Sequence, residues 1–153
     1  MKNKELYFDE FFRDNIEEFL SNPNYRRMND YVCHGKYTLL DHSLRVTLLA
    51  YSIAKRRNRK VDYQSLIRGS MLHDYYLYDW HRKNEGHRLH GYRHPGFSLR
   101  NAKRDFPVNK KERNMILSHM FPLTLFPLPH SKEAWILTLA DKVCAKKEHY
   151  NSK

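Results

Sequence analysis

Apolar side chains recur along most of this chain at steps of three and four residues, the period of a helix and not of a strand. Between residues 4 and 21, Tyr7, Phe8, Phe11, Phe12, Ile16, Phe19 and Leu20 share one stripe, predicting an amphipathic helix that stops before Ser21-Asn22-Pro23-Asn24. Thr38 with Asp41 has the spacing of a capping box and opens a second helix. Its inward stripe reads Leu39, His42, Val46, Leu49/Ala50 and Ile53, and it runs out in the basic stretch Lys55-Arg56-Arg57-Asn58-Arg59-Lys60. A third helix extends from about Asp62 to Tyr76, with Leu66, Ile67, Ser70, Met71 and Asp74 on one side. Residues 78–94 are polar and hold Gly86 and Gly91, so a loop or broken helix is expected there. Pro95 then suits the first turn of a helix reaching Phe106. Asn109 and Glu112 open another helix to about Met120, and Ser131 caps a last one from Ala134 to about His149. Between those two, FPLTLFPLPHS holds three prolines and reads as extended chain. No repeat, linker or convincing strand pair interrupts this order. The expectation is an all-α fold, a single domain over residues 1–153 with six or seven helices.

Composition narrows the class without choosing a function. A chain of 153 residues, 41% hydrophobic and 14% aromatic, can build a core and is not disordered, and 5 Gly with 6 Pro exclude a collagen-like chain. Against 17 Asp and Glu stand 28 Lys and Arg, a net charge of +11 that favours phosphate-bearing partners such as nucleotides, nucleic acid or anionic lipid. Cys33 and Cys144 are too few for a disulfide framework and suit a reducing compartment. The opening MKNKELYFDEFF mixes acids into its first residues and lacks an apolar signal core, and no stretch is long and apolar enough to span a bilayer. A cytoplasmic location and no membrane partner are therefore expected.

Ten His and nine Asp make a His-Asp dipeptide expected roughly 0.6 times by chance, so His73-Asp74 alone says little. Placement says more. His42 replaces an apolar residue in its stripe, Asp74 follows Ser70 by one turn, His119 follows Ile116 by three, and Asp141 sits among Ala134, Leu137, Thr138 and Cys144/Ala145. Each taken alone has an ordinary structural explanation, a hydrogen-bonded core histidine or an Asp–Arg ion pair. Together they turn ionisable groups on four segments towards the core, where an unpaired carboxylate costs several kcal/mol. One divalent cation gathering them is the economical arrangement, and His with Asp and no thiolate suits Fe, Mn, Zn, Co or Ni.

The order His42, His73-Asp74, His94, His119, Asp141 resembles the HD superfamily of metal-dependent phosphohydrolases. Longer stretches, HGKYTLLDHSLRV, RGSMLHDYYLYDWH, GHRLHGYRHPG, SHMFPLTLFPLP and SKEAWILTLADKVCA, are similar to a branch of small bacterial HD-domain proteins, over about residues 5 to 150. The resemblance implies an all-helical domain in which His42, His73, Asp74 and Asp141 bind one metal, with Asp74 bridging to a second. His94 and His119 match the second-metal positions of two-metal relatives, although His90 or His87 can take the place of His94 within GHRLHGYRH. His34 is expected near the pocket, and His81, His130 and His149 on the surface.

One or two divalent transition metals would lower the pKa of bound water towards ~7 and supply hydroxide for attack on a phosphoester. Asp74 is expected to orient or deprotonate that water, while Arg45, one turn beyond His42, and Lys142, next to Asp141, offset charge on the phosphoryl group. Tyr75, Tyr76, Tyr78 and Trp80 read as pocket wall or as a surface for stacking a base. The expected partner is a small phosphorylated substrate, a nucleotide above all. The alternative is a nucleic-acid- or nucleotide-binding module with a structural metal and no turnover, which the net charge of +11 favours. The resemblance also admits oxygen chemistry at two irons.

Overall fold

Local capping chemistry marks where each helix begins. In the computed structural model, which describes residues 9–82 and 89–153, Asp9 accepts from the Phe12 amide at 2.9 Å and opens α1, Glu10–Leu20. Residues 4–8 of the expected helix, with Tyr7 and Phe8, lie outside the described residues. Asn22 caps the short α2, Pro23–Arg26, which passes into a 3₁₀ turn at Arg27–Asp30. Thr38 and Asp41 form the expected capping box of α3, Leu39–Arg56, and Asp62 caps α4, Tyr63–Leu72. Beyond these lie α5, His90–Asp105, then α6, Lys110–Ser118, capped by the Asn109–Glu112 box, and α7, Lys132–Asn151, capped by Ser131. Seven α-helices among the described residues make the fold all-α, as the helical periodicity predicts.

Helix α3 packs between α4 and α7, with α6 closing against α4 and α5 against α6. Small residues let the central helices approach: Ala50 and Ala54 of α3 meet Ala134, Leu137 and Ala140 of α7. That two-sided packing turns the buried stripe of α3 towards Ala50, Tyr51 and Ala54, leaving the expected Leu49 and Ile53 partly buried. At Gly69 a Cβ would come within 2.5 Å of Met115 Cε, so a larger residue there would push the Met115 side chain aside where α4 meets α6. A second, aromatic cluster joins α1 to the centre through Phe12, Phe19, Tyr25, Tyr75 and Phe106.

Four local departures from the expected elements have physical reasons. Helix α4 ends at Leu72 and not near Tyr76, because His73 takes the cap and donates from Nδ1 to the Ser70 carbonyl at 2.7 Å. Helix α5 starts at His90, so Pro95 lies inside it; an added bond from His94 Nδ1 to the His90 carbonyl, 2.8 Å, strengthens the turn that Pro95 weakens. FPLTLFPLPHS is folded into turns with cis bonds at Phe121-Pro122 and Phe126-Pro127, and Asn114 holds it by bonding Leu128 and His130. A strand pair also exists: β1, Val32–His34, is antiparallel to β2, Tyr37–Thr38, around Gly35 at φ +58, too short to leave an alternating pattern. No helix among the described residues is long and apolar enough to cross a membrane.

Candidate metal centre

Six ionisable side chains, carried by five helices and the turns that end two of them, meet in one cluster. His42 comes from the first turns of α3, His94 from α5 and Asp141 from the middle of α7. His73 and His119 occupy the same local position on α4 and α6: each takes the cap after the last helical residue and donates from Nδ1 to the carbonyl three residues earlier, Ser70 and Ile116, at 2.7 Å. This bond satisfies a helix-end carbonyl and turns Nε2 inward. Asp74 lies in the turn directly after His73, not on a helical stripe.

The distances divide the cluster about Asp74. His42 Nε2 is 3.0 Å from Asp141 Oδ1 and 3.5 Å from Asp74 Oδ2; His73 Nε2 is 3.6 Å and 3.4 Å from the same two oxygens. Asp74 Oδ1 faces the other way, 3.1 Å from His94 Nε2 and 3.3 Å from His119 Nε2. One ligand atom from each of His42, His73, Asp74 and Asp141 falls within a 4.8 Å cluster, as does one from each of Asp74, His94 and His119. Cys33, His34 and His42 make a third such group, and burial raises the pKa of the Cys33 thiol well above its ordinary value.

Hydrogen bonding decides the tautomers. A main-chain carbonyl only accepts, so His73, His94 and His119 carry their proton on Nδ1 when neutral and present a bare Nε2 to the centre. His42 does the same with Glu148, whose Oε2 lies 2.8 Å from Nδ1. The inner surface is therefore four imidazole lone pairs and two carboxylates. His94 Nε2 and His119 Nε2 are only 2.9 Å apart, and His73 Nε2 and Asp74 Oδ1 are buried without a well-formed hydrogen bond. Acceptors in this arrangement need positive charge between them, from protons or from metal ions. Without an ion, burial opposes charge on His42, yet its contacts with Asp141 and Glu148 prevail and raise its pKa to about 10. Burial likewise opposes ionisation of Asp74, but the charge of His73 and the bonds of His119 and His94 hold its carboxyl well below the ordinary range. Asp141 is lowered too, His42 and His73 outweighing burial, whereas burial dominates at His119 and lowers its pKa. The donor set, imidazole with carboxylate and no thiolate, fits a divalent transition metal.

Beside the centre opens a cavity of about 580 Å³, with Asp74, His94, His119 and Asp141 in its wall. Tyr76, Trp80, Met120, Pro122 and Leu123 make its apolar side, and His34 and Lys142 its polar one. His34 packs edge-on against His42 at 5.1 Å between ring centres, and burial and then His42 lower its pKa. His90, the rival of His94, is not in the cluster: its Nδ1 meets Tyr78 Oη at 2.9 Å and its ring stacks between Trp80 and His94. His87 lies outside the described residues. Arg45, expected beside the phosphoryl group, is exposed, stacks on Tyr37 at 4.4 Å and is not among the cavity residues. Tyr75 turns from the cavity to Asp105, and His81, His130 and His149 are exposed. Glu148 was not singled out by the sequence pattern, although it stands seven residues after Asp141 and so on the same face of α7.

A family model described as the HD domain matches residues 39–146, a span that includes all six residues of the cluster. No curated protein and no solved structure matches the chain.

Proposed function

The chain belongs to the HD domain family, and from that premise we propose that it is a metal-dependent phosphohydrolase that cleaves a phosphoester of a nucleotide or another small phosphorylated molecule. HD domains are commonly metal-dependent hydrolases. The observation that carries the reading is the inward surface of four Nε2 atoms and two carboxylates beside an open cavity. His42, His73, Asp74 and Asp141 would hold one ion, and Asp74, His94 and His119 a second. Bound there, a divalent ion supplies Lewis acidity, polarising a phosphoryl oxygen and lowering the pKa of water towards ~7.

The protein's own groups position the rest. Asp74 sends one oxygen to each half of the cluster and so aligns both with the cavity. Lys142 places an ammonium at the cavity wall, where charge grows on a phosphoryl group during attack, while Arg45 stacks on Tyr37. Tyr76, Trp80, Met120, Pro122 and Leu123 exclude water from the apolar side and receive the body of the substrate. The test is elemental analysis of protein purified without affinity tag or chelator, then phosphate release from a panel of phosphoesters. One or two equivalents of Fe, Mn, Zn, Co or Ni and metal-dependent turnover are expected. Protein that stays free of metal after reconstitution, or holds metal yet cleaves no phosphoester, overturns the reading.

A further inference from the structure

A second concave surface lies where the C-terminal end of α3 meets the N-terminal half of α7. It encloses about 260 Å³ and is lined by Ile53, Ile136 and Leu139, by Trp135, and by Arg57, Arg59 and Lys132. No acid lines it, and none of the three cations has an ion pair among the described residues. Trp135 is 49% exposed and Leu139 48%. Phe121 braces the indole edge-on at 5.3 Å, so the ring is held in place rather than buried.

Three cations left without carboxylates around a half-exposed aromatic ring match a ligand that alternates phosphates with flat π-faces. We propose that this groove is a binding site for single-stranded nucleic acid, with Arg57, Arg59 and Lys132 on the phosphates and Trp135 stacking a base. The concavity favours this over a lipid surface, which calls for an amphipathic helix lying flat in the interface. The net charge of +11 draws any polyanion inward. Trp135, Leu139 and Lys142 lie on one face of α7, about 10 Å end to end, with Lys142 in the wall of the metal-centre cavity. The proposal stands on the groove alone and does not depend on hydrolysis at the metal centre.

Fluorescence anisotropy of a labelled oligothymidylate tests it. Binding is expected with log Kd rising against log salt at a slope of about 2, from three phosphate contacts on a single strand. An Arg57→Glu/Arg59→Glu variant should weaken binding at least about thirtyfold and Trp135→Ala about tenfold, both with unchanged helical circular dichroism and metal content. The same charge change made on α1 and α5, Arg13→Glu/Lys103→Glu, should move Kd less than about threefold. Absent binding, equal losses from the two double variants, or competition by thymidine monophosphate as strong as by the oligomer overturns the proposal. Preference for anionic phosphatidylserine vesicles over the oligomer overturns it as well, in favour of a membrane surface.

Discussion

The two halves of the metal centre share Asp74 and little else. On its Oδ2 side, His42 and His73 face a second carboxylate, Asp141, and His42 is backed by a third, Glu148. On its Oδ1 side, among the described residues, His94 and His119 face no further acid, and main-chain carbonyls stand behind them. A carboxylate behind an imidazole makes its Nε2 more basic than a carbonyl does, and each anionic donor adds Coulomb attraction for a cation. The first half therefore gathers more negative charge towards a cation than the second. The second offers two neutral imidazoles and the shared carboxylate. The lesson is that two clusters sharing one carboxylate differ in ligand number, four against three, and in the charges standing behind the ligands.

Removing what the halves share should have the largest effect. Asp74→Ala is expected to lower bound metal to below about a tenth of an equivalent and turnover by at least about 10³-fold, with circular dichroism preserved. Full activity in that variant ends the hydrolase reading. His119→Ala separates the halves: one equivalent should remain by elemental analysis, with turnover down about 10²-fold or more, whereas loss of both equivalents would show that the halves are one site. Glu148→Gln keeps shape and removes the charge behind His42, so metal affinity should fall about 10–100-fold in a chelator competition; an unchanged affinity removes Glu148 from the site.

The smallest expected effect belongs to a carboxylate outside the centre. Asp105 is held by Arg104, partly offset by burial and aided by Tyr75, which together bring its pKa to about 2. A depressed carboxyl stabilises the fold above its unfolded pKa of 3.8, and that stability is lost as pH falls from about 4 towards 2. Asp105→Asn should then cost about 1–2 kcal/mol in denaturant melts at neutral pH, with wild type and variant converging near pH 2. A constant gap down to pH 2 would show that the loss is not electrostatic. Unlike this one, the carboxylates of the centre should show acid sensitivity that changes when metal is removed.

The helices were legible because their signals are local. The Thr38–Asp41 and Asn109–Glu112 boxes and the caps Asp62 and Ser131 need only neighbours within three residues. Where the signal runs through space, reading along the chain failed. Pro95 looks like a helix start until His94 Nδ1 reinforces the turn before it, and the proline-rich segment looks extended until Asn114, from another element, folds it. The strand pair is too short to show any period.

By itself the sequence determined which ionisable residues stand on inward faces, His42 and Asp141 above all, since helical periodicity assigns a face to each position. Only the tertiary structure decided which faces converge. It placed His94 in the centre and His90 against Tyr78, brought Glu148 beneath His42 and turned Arg45 out to Tyr37. Periodicity fixes direction about one helix axis. The partner met along that direction, and the nitrogen an imidazole presents to it, depend on how separate helices pack and on the carbonyl or carboxylate each ring finds behind it.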